Sequence, residues 1–187
     1  MAEICRLPDN VSFDLGAILE PLGVAIHASR RAQIAPDSST LVFGAGAVGL
    51  LCAATSKVGG SSNVTIADIQ AERVDFAINN GFAHCGFVVP RKQGQGIEER
   101  LRIAKETAAI AAEVRTAGGS SLGEYDTVFE CTGVESCTQA AIYVRSKHHP
   151  MKNASLTEAG NTRWWKSCDS RYGKSCTDIA NLSSCTA

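Results

Sequence analysis

The chain has 187 residues, 44% of them hydrophobic and 20% charged, with a formal net charge of −1, which describes an ordinary globular domain and excludes disordered or basic nucleic-acid-binding chains. No apolar run reaches the roughly 20 residues of a membrane helix, and Glu3, Arg6 and Asp9 interrupt any leader-like stretch, so a cytoplasmic location without membrane or nucleic-acid partners is expected. Eight cysteines, none closer than Cys131 and Cys137, leave no CxxC pair and no zinc-finger spacing.

Taken in chain order, Asp14 to Arg31 reads as a helix broken at Pro21. Leu41-Val42-Phe43 is a predicted strand, and a helix follows from about Val48 to Val58, ended by Gly59-Gly60. Val64 to Ala67 is the second strand, Ala71 to Asn80 the second helix of the repeat, and Phe87-Val88-Val89 a third strand closed by Pro90. Ile97 to Thr116 is an alanine-rich helix with Glu98, Glu99, Arg100, Arg102 and Lys105 on its wet face, stopped by Gly118-Gly119 before a fourth strand at Thr127 to Glu130. Short β-branched runs alternating with helices predict βαβ units and a parallel sheet, an α/β fold. Cys5, Cys52, Cys85 and Cys131 lie in or beside apolar runs and read as reduced core residues.

A break falls near residue 146. Residues 1–145 hold 12 basic against 16 acidic residues, and 146–187 hold six against three. In the later segment only Leu156, Ile179 and Leu182 are branched aliphatics, while 11 residues are Ser or Thr. Such a sequence cannot bury enough surface to offset its ordering entropy, so three regions are expected: 1–35 entering the domain, 36–145 the α/β domain, and 146–187 an aberrant, unstructured tail. Trp164-Trp165 in that tail carries no expected role.

Gly44-Ala45-Gly46-Ala47-Val48-Gly49 is G-x-G-x-x-G, placed directly after a predicted strand and opening a helix. The first glycine permits the tight turn, the second lets backbone approach a pyrophosphate, and the third lets the helix pack closely on the strand. Asp68, 19 residues beyond Gly49 at the end of the second strand, is placed to accept the adenosine ribose hydroxyls and to repel a 2′-phosphate, which favours NAD over NADP. Arg73 could lie over the adenosine. His27 and His84 have no expected role.

Together with Glu20-Pro21-Leu22, Arg30-Arg31-Ala32 and Glu130-Cys131-Thr132-Gly133, this pattern resembles the zinc-dependent medium-chain dehydrogenases, in particular the sorbitol, xylitol and arabinitol dehydrogenase branch, from about Cys5 to Tyr143. The resemblance implies that Gly44, Gly46, Val48 and Gly49 line the pyrophosphate, that Asp68 and Arg73 hold the adenosine, and that Thr132 and Gly133 border the groove. It implies that Glu20 faces the catalytic zinc, which argues against a zinc-free quinone reductase relative. The zinc ligands of the family lie in a GroES-like domain that this sequence does not include, so no metal ligands are expected here. The resemblance implies that residues 36–145 form a truncated NAD-binding Rossmann domain, a partial doubly wound sheet of about four parallel strands in the order 3-2-1-4. The implied function is the NAD-binding portion of a polyol dehydrogenase, with a small polyol as the whole enzyme's substrate and NAD and zinc as its cofactors. The alternative is a non-catalytic or degenerate nucleotide-binding fragment.

Two further expectations follow from the resemblance. Where the family continues past Tyr143 with Gly-Gly, Trp164-Trp165-Lys166 must be encoded TGG TGG AAR, which in the next frame reads Gly-Gly; residues 146–163 thus read as translated intron and 164–187 as out-of-frame exon. The fourth strand would then present an open edge, inviting homo-oligomerisation or aggregation.

Overall fold

A computed structural model describes residues 6–92, 94–116, 119, 121–144 and the backbone of Ala154–Ser155. The chain divides into two units, Leu19–Thr157 and a second made of Met1–Ile18 with Glu158–Ala187. In the second unit the described residues, 6–18, form a turn in which the Val11 amide donates to the Pro8 carbonyl (3.0 Å) and Arg6 pairs with Asp9 (3.0 Å). The Ser12 hydroxyl then caps the first helix by accepting from the Leu15 amide (3.3 Å).

The elements run α1 (Phe13–Ala32), β1 (Ser39–Phe43), α2 (Ala47–Val58), β2 (Asn63–Asp68), α3 (Ala71–Asn79), β3 (Cys85–Val88), α4 (Ile97–Glu113), β4 (Thr127–Glu130), α5 (Glu135–Val144) and β5 (Ala154–Ser155). All strands pair in parallel in the order β3-β2-β1-β4-β5. The four longer strands thus take the expected 3-2-1-4 order. Phe43 at the end of β1 lies opposite Ala67 on one side and Glu130 on the other, which brings the ends of the three central strands level.

Alternation along β1 explains the two cores. Val42, with Val64, Ile66 and Phe129, packs under Ala25, Ala28 and Ala32 of α1, Cys52 and Ala53 of α2, and Val74 and Ala77 of α3. Leu41 and Phe43, with Ala67 and Val128, face Ala104, Ala108 and Ala111 of α4 and Cys137, Ala140 and Ala141 of α5. Burying each of the larger side chains contributes roughly 1.5–3 kcal/mol. The alanines bring the helices close to the sheet. Among the described residues, no helix is long and apolar enough to cross a membrane.

Several boundaries differ from the sequence reading. Helix α1 is continuous through Pro21, because an internal proline removes one backbone bond and bends a long helix without ending it when the turns on both sides propagate. Helix α4 stops at Glu113 because Val114 turns extended (φ −58°, ψ 132°) and the chain folds back, Leu122 donating to the Val114 carbonyl (3.0 Å) and Gly123 to that of Ala112 (3.1 Å). The expected stop at Gly118-Gly119 therefore comes too late. Strand β3 begins at Cys85 and ends at Val88, earlier than Phe87–Val89. Helix α5 was not anticipated as an element.

The tail expected to be unstructured lies outside the described residues, except that Ala154 and Ser155 pair with Phe129 and Glu130. The β4 edge is therefore covered at those two residues, where an open edge was expected. Cys52, Cys85, Cys131 and Cys137 are free thiols; Cys5 lies outside the described residues.

Two polar contacts fasten β2. The Tyr125 hydroxyl, fully buried, sits 3.2 Å from Thr65 Oγ1 and 3.1 Å from the Ala111 carbonyl oxygen, and burial pushes its pKa up to about 12. On the other side, His84 exchanges two bonds with Val64: its amide donates to the Val64 carbonyl (2.8 Å), and its Nδ1 accepts from the Val64 amide (2.9 Å). Partial burial, then Lys57, lowers the His84 pKa below its ordinary 6.5. A histidine whose folded-state pKa is depressed leaves stability complete above about 6.5 and withdraws it as pH falls from there through the folded value, because the unfolded chain takes up the proton first. The urea midpoint should fall between pH 7.5 and pH 5, and less steeply in His84→Gln; identical slopes for the two proteins would contradict this.

Candidate functional site

The turns that follow β1, β2 and β4 meet at the carboxyl end of the sheet, where the strand order reverses between β1 and β4; crevices of this kind are where open α/β sheets bind ligands. Each of the three motif glycines, Gly44 and Gly46 in the turn between β1 and α2 and Gly49 in the first turn of α2, has a separate cause. Gly44 adopts φ +97°, and a Cβ there would lie 3.1 Å from the Cys131 carbonyl oxygen and from Thr132 Cγ2. A Cβ on Gly49 would stand 1.8 Å from the Gly44 carbonyl oxygen, so α2 can approach β1 only without one.

Gly46 differs from both. Its φ of −82° suits any residue, and a Cβ would meet nothing within 4 Å. Neither folding nor packing asks for glycine at this exposed position. As N-cap it offers α2 no side-chain acceptor, and no acidic residue occupies the first turn. The helix therefore presents uncapped amides and the positive end of its dipole to open space. A pyrophosphate approaching that backbone fits both features, whereas a side chain at Gly46 would fill the cradle.

Asp68 closes the turn from the side. It is 8% exposed, its Oδ2 accepting from the Ala45 amide (2.8 Å) and its Oδ1 from the Gln70 amide (3.0 Å). Each oxygen keeps a lone pair for a further donor. The same carboxylate thus tethers the glycine turn and can still receive hydroxyls.

At the end of β4, Glu130 is 2% exposed and accepts from the Thr132 amide (2.7 Å), the Thr132 hydroxyl and the Gly133 amide (3.1 Å). Thr132 and Gly133 themselves are exposed. Beneath this turn, the Cys131 thiol pKa is pushed up by its hydrogen bond with Cys52 and by burial. That of Cys137 is raised by burial, with Glu130 and Asp68 adding repulsion. Both thiols stay protonated at neutral pH and supply no nucleophile.

Of the residues singled out from the sequence, Gly44, Gly46, Val48, Gly49, Asp68, Thr132 and Gly133 gather at this end of the sheet. Glu20 and Arg73 sit exposed on α1 and α3, and the hydrogen bonds that bind the site together reach neither side chain. The described residues contain no group of three or more His, Cys, Asp or Glu able to hold a metal, so they do not fit a zinc ion. Sequence reasoning gave Glu130 no role; a buried acid ending a strand just before Thr-Gly was the available signal.

The architecture defines a class, α/β proteins with a parallel sheet and a glycine-rich turn between the first strand and the helix that follows it. No protein-family model matches the chain. It is 37% identical over 144 residues to sorbitol dehydrogenase of Bos taurus, covering 76% of this chain and 35% of that protein. It is 36% identical over 140 residues to the "Probable D-xylulose reductase A" of Arthroderma otae, covering 74% and 35%. Among solved structures, 2R,3R-butanediol dehydrogenase from Bacillus subtilis matches with a TM-score of 0.52 and 26% identity over 80% of this chain and 37% of that one. The chain corresponds to a segment of the zinc-dependent medium-chain alcohol and polyol dehydrogenase family, whose members are NAD(P)- and zinc-dependent enzymes. It spans 35% of the length of the curated relatives it matches.

Proposed function

We propose that this chain is the NAD-binding portion of a polyol dehydrogenase. The observation that carries the proposal is Gly46, a glycine that neither its dihedral angles nor its neighbours require, placed at an uncapped helix N-terminus. In this reading the α2 amides take the diphosphate, Gly44 and Gly49 hold the turn in shape, and Val48 lines its base. Asp68 accepts the ribose hydroxyls, Arg73 covers the adenosine, and Thr132 and Gly133 border the opposite wall. The buried Asp68 carboxylate would repel a 2′-phosphate, hence NAD over NADP.

In the complete enzyme the nicotinamide accepts hydride from a secondary alcohol of a small polyol, and Glu20 faces the metal-bearing domain; the setting is cytoplasmic, without nucleic-acid or membrane partners. Gly46→Val tests the reading. The variant should melt at the temperature of the unmutated chain, because its side chain enters open space, yet bind NAD about a hundredfold more weakly by calorimetry. Equal NAD affinity in the two proteins would remove the proposal's support.

A further inference from the structure

Glu130 is buried at 2% exposure, and among the described residues it meets no cation. A carboxylate in such a place is costly unless hydrogen-bonded, and here every donor comes from the two residues that follow Cys131. Those charge-assisted bonds are stronger than neutral ones, so they hold the Thr132–Gly133 turn, with Gly133 at φ +72°, in one shape. The turn is in turn applied to the phosphate loop. The Cys131 amide donates to the Phe43 carbonyl (2.9 Å), and the Cys131 carbonyl and Thr132 Cγ2 sit where a Cβ on Gly44 would be 3.1 Å away.

A second consequence concerns charge. The amides of Thr132 and Gly133 lead into α5 and would otherwise be donors for an anion. The chain's own carboxylate already occupies them, and the N-terminus of α2 has no such internal occupant.

We propose that Glu130 is a positioning residue of the nucleotide groove: its carboxylate fixes the Thr132–Gly133 turn against Gly44 and keeps that turn's amides from a competing anion, leaving the diphosphate to α2. The proposal rests on the nucleotide reading above and adds a residue to it.

The test uses Glu130→Gln in the full chain, with Tyr125→Phe as a comparison that weakens a buried contact with Thr65 and Ala111 away from the groove. In Glu130→Gln the amides of Thr132, Gly133, Gly44 and Ala45 should exchange with solvent about tenfold faster, and NAD should bind about tenfold more weakly well below the melting temperature. Tyr125→Phe should lower the melting temperature and leave those four amides and the NAD affinity unchanged. Thr132→Val, which deletes one donor to Glu130, should show the Glu130→Gln pattern at smaller amplitude and serves if Glu130→Gln does not fold. Unchanged exchange at Gly44 and Ala45 would overturn the positioning role whether or not NAD binds. Faster exchange in a chain whose unmutated form binds no NAD would uphold the positioning role and reject the nucleotide reading.

Discussion

Gly49→Ala should leave no stably folded protein. The added methyl would lie 1.8 Å from the Gly44 carbonyl oxygen and 2.9 Å from its carbon, and neither atom is the end of a flexible side chain that could swing aside. Relief requires α2 to move off β1, opening the core around Val42, Cys52 and Ala53. The loss should exceed about 4 kcal/mol, beyond the usual range for single substitutions. Gly81→Ala is the informative contrast: its φ is +74° but a Cβ meets nothing within 4 Å, so only the left-handed strain of about 1–2 kcal/mol applies. Urea unfolding followed by circular dichroism separates the two. A Gly49→Ala protein with a midpoint near that of Gly81→Ala would mean the helix does not pack on the strand as described.

Asp68→Ala should weaken NAD binding by about a hundredfold while changing NADP binding far less. Three effects combine. The carboxylate tethers the Ala45 and Gln70 amides, and each hydrogen bond to a charged group contributes roughly 1.5–3 kcal/mol; losing the tether loosens the phosphate turn for either nucleotide. Losing the acceptor penalises NAD more than NADP, which has no 2′-hydroxyl to donate, and losing the negative charge relieves the repulsion felt by a 2′-phosphate. The ratio of the two affinities, measured by calorimetry on both proteins, isolates the ribose effect from the tether. An unchanged ratio would reduce Asp68 to a structural residue.

The features legible in the sequence share one property, that local pattern and tertiary requirement agree. Leu41-Val42-Phe43 alternates between two buried faces, and the glycine motif directly after it could be placed on a turn because the strand and helix around it were both readable. Asp68 followed by counting to the end of the next strand. The misreadings occurred where the outcome depends on partners distant in sequence. Pro21 looked like a breaker, yet Ala25, Ala28 and Ala32 beyond it pack on the sheet core and carry the helix on. The end of α4 was set by backbone bonds from Leu122 and Gly123, which no helix-stop residue announces. Glu130 resembled any strand-end acid until its carboxylate was seen to bind the turn it precedes.

Titration of the unmutated chain with NAD and with NADP, side by side in a calorimeter, tests directly whether the glycine turn and Asp68 hold a dinucleotide. If the α2 amides take the diphosphate and Asp68 the ribose as proposed, NAD should bind saturably at one site, with NADP weaker by at least about tenfold. Equal affinity for the two nucleotides, or no heat from either, would contradict it.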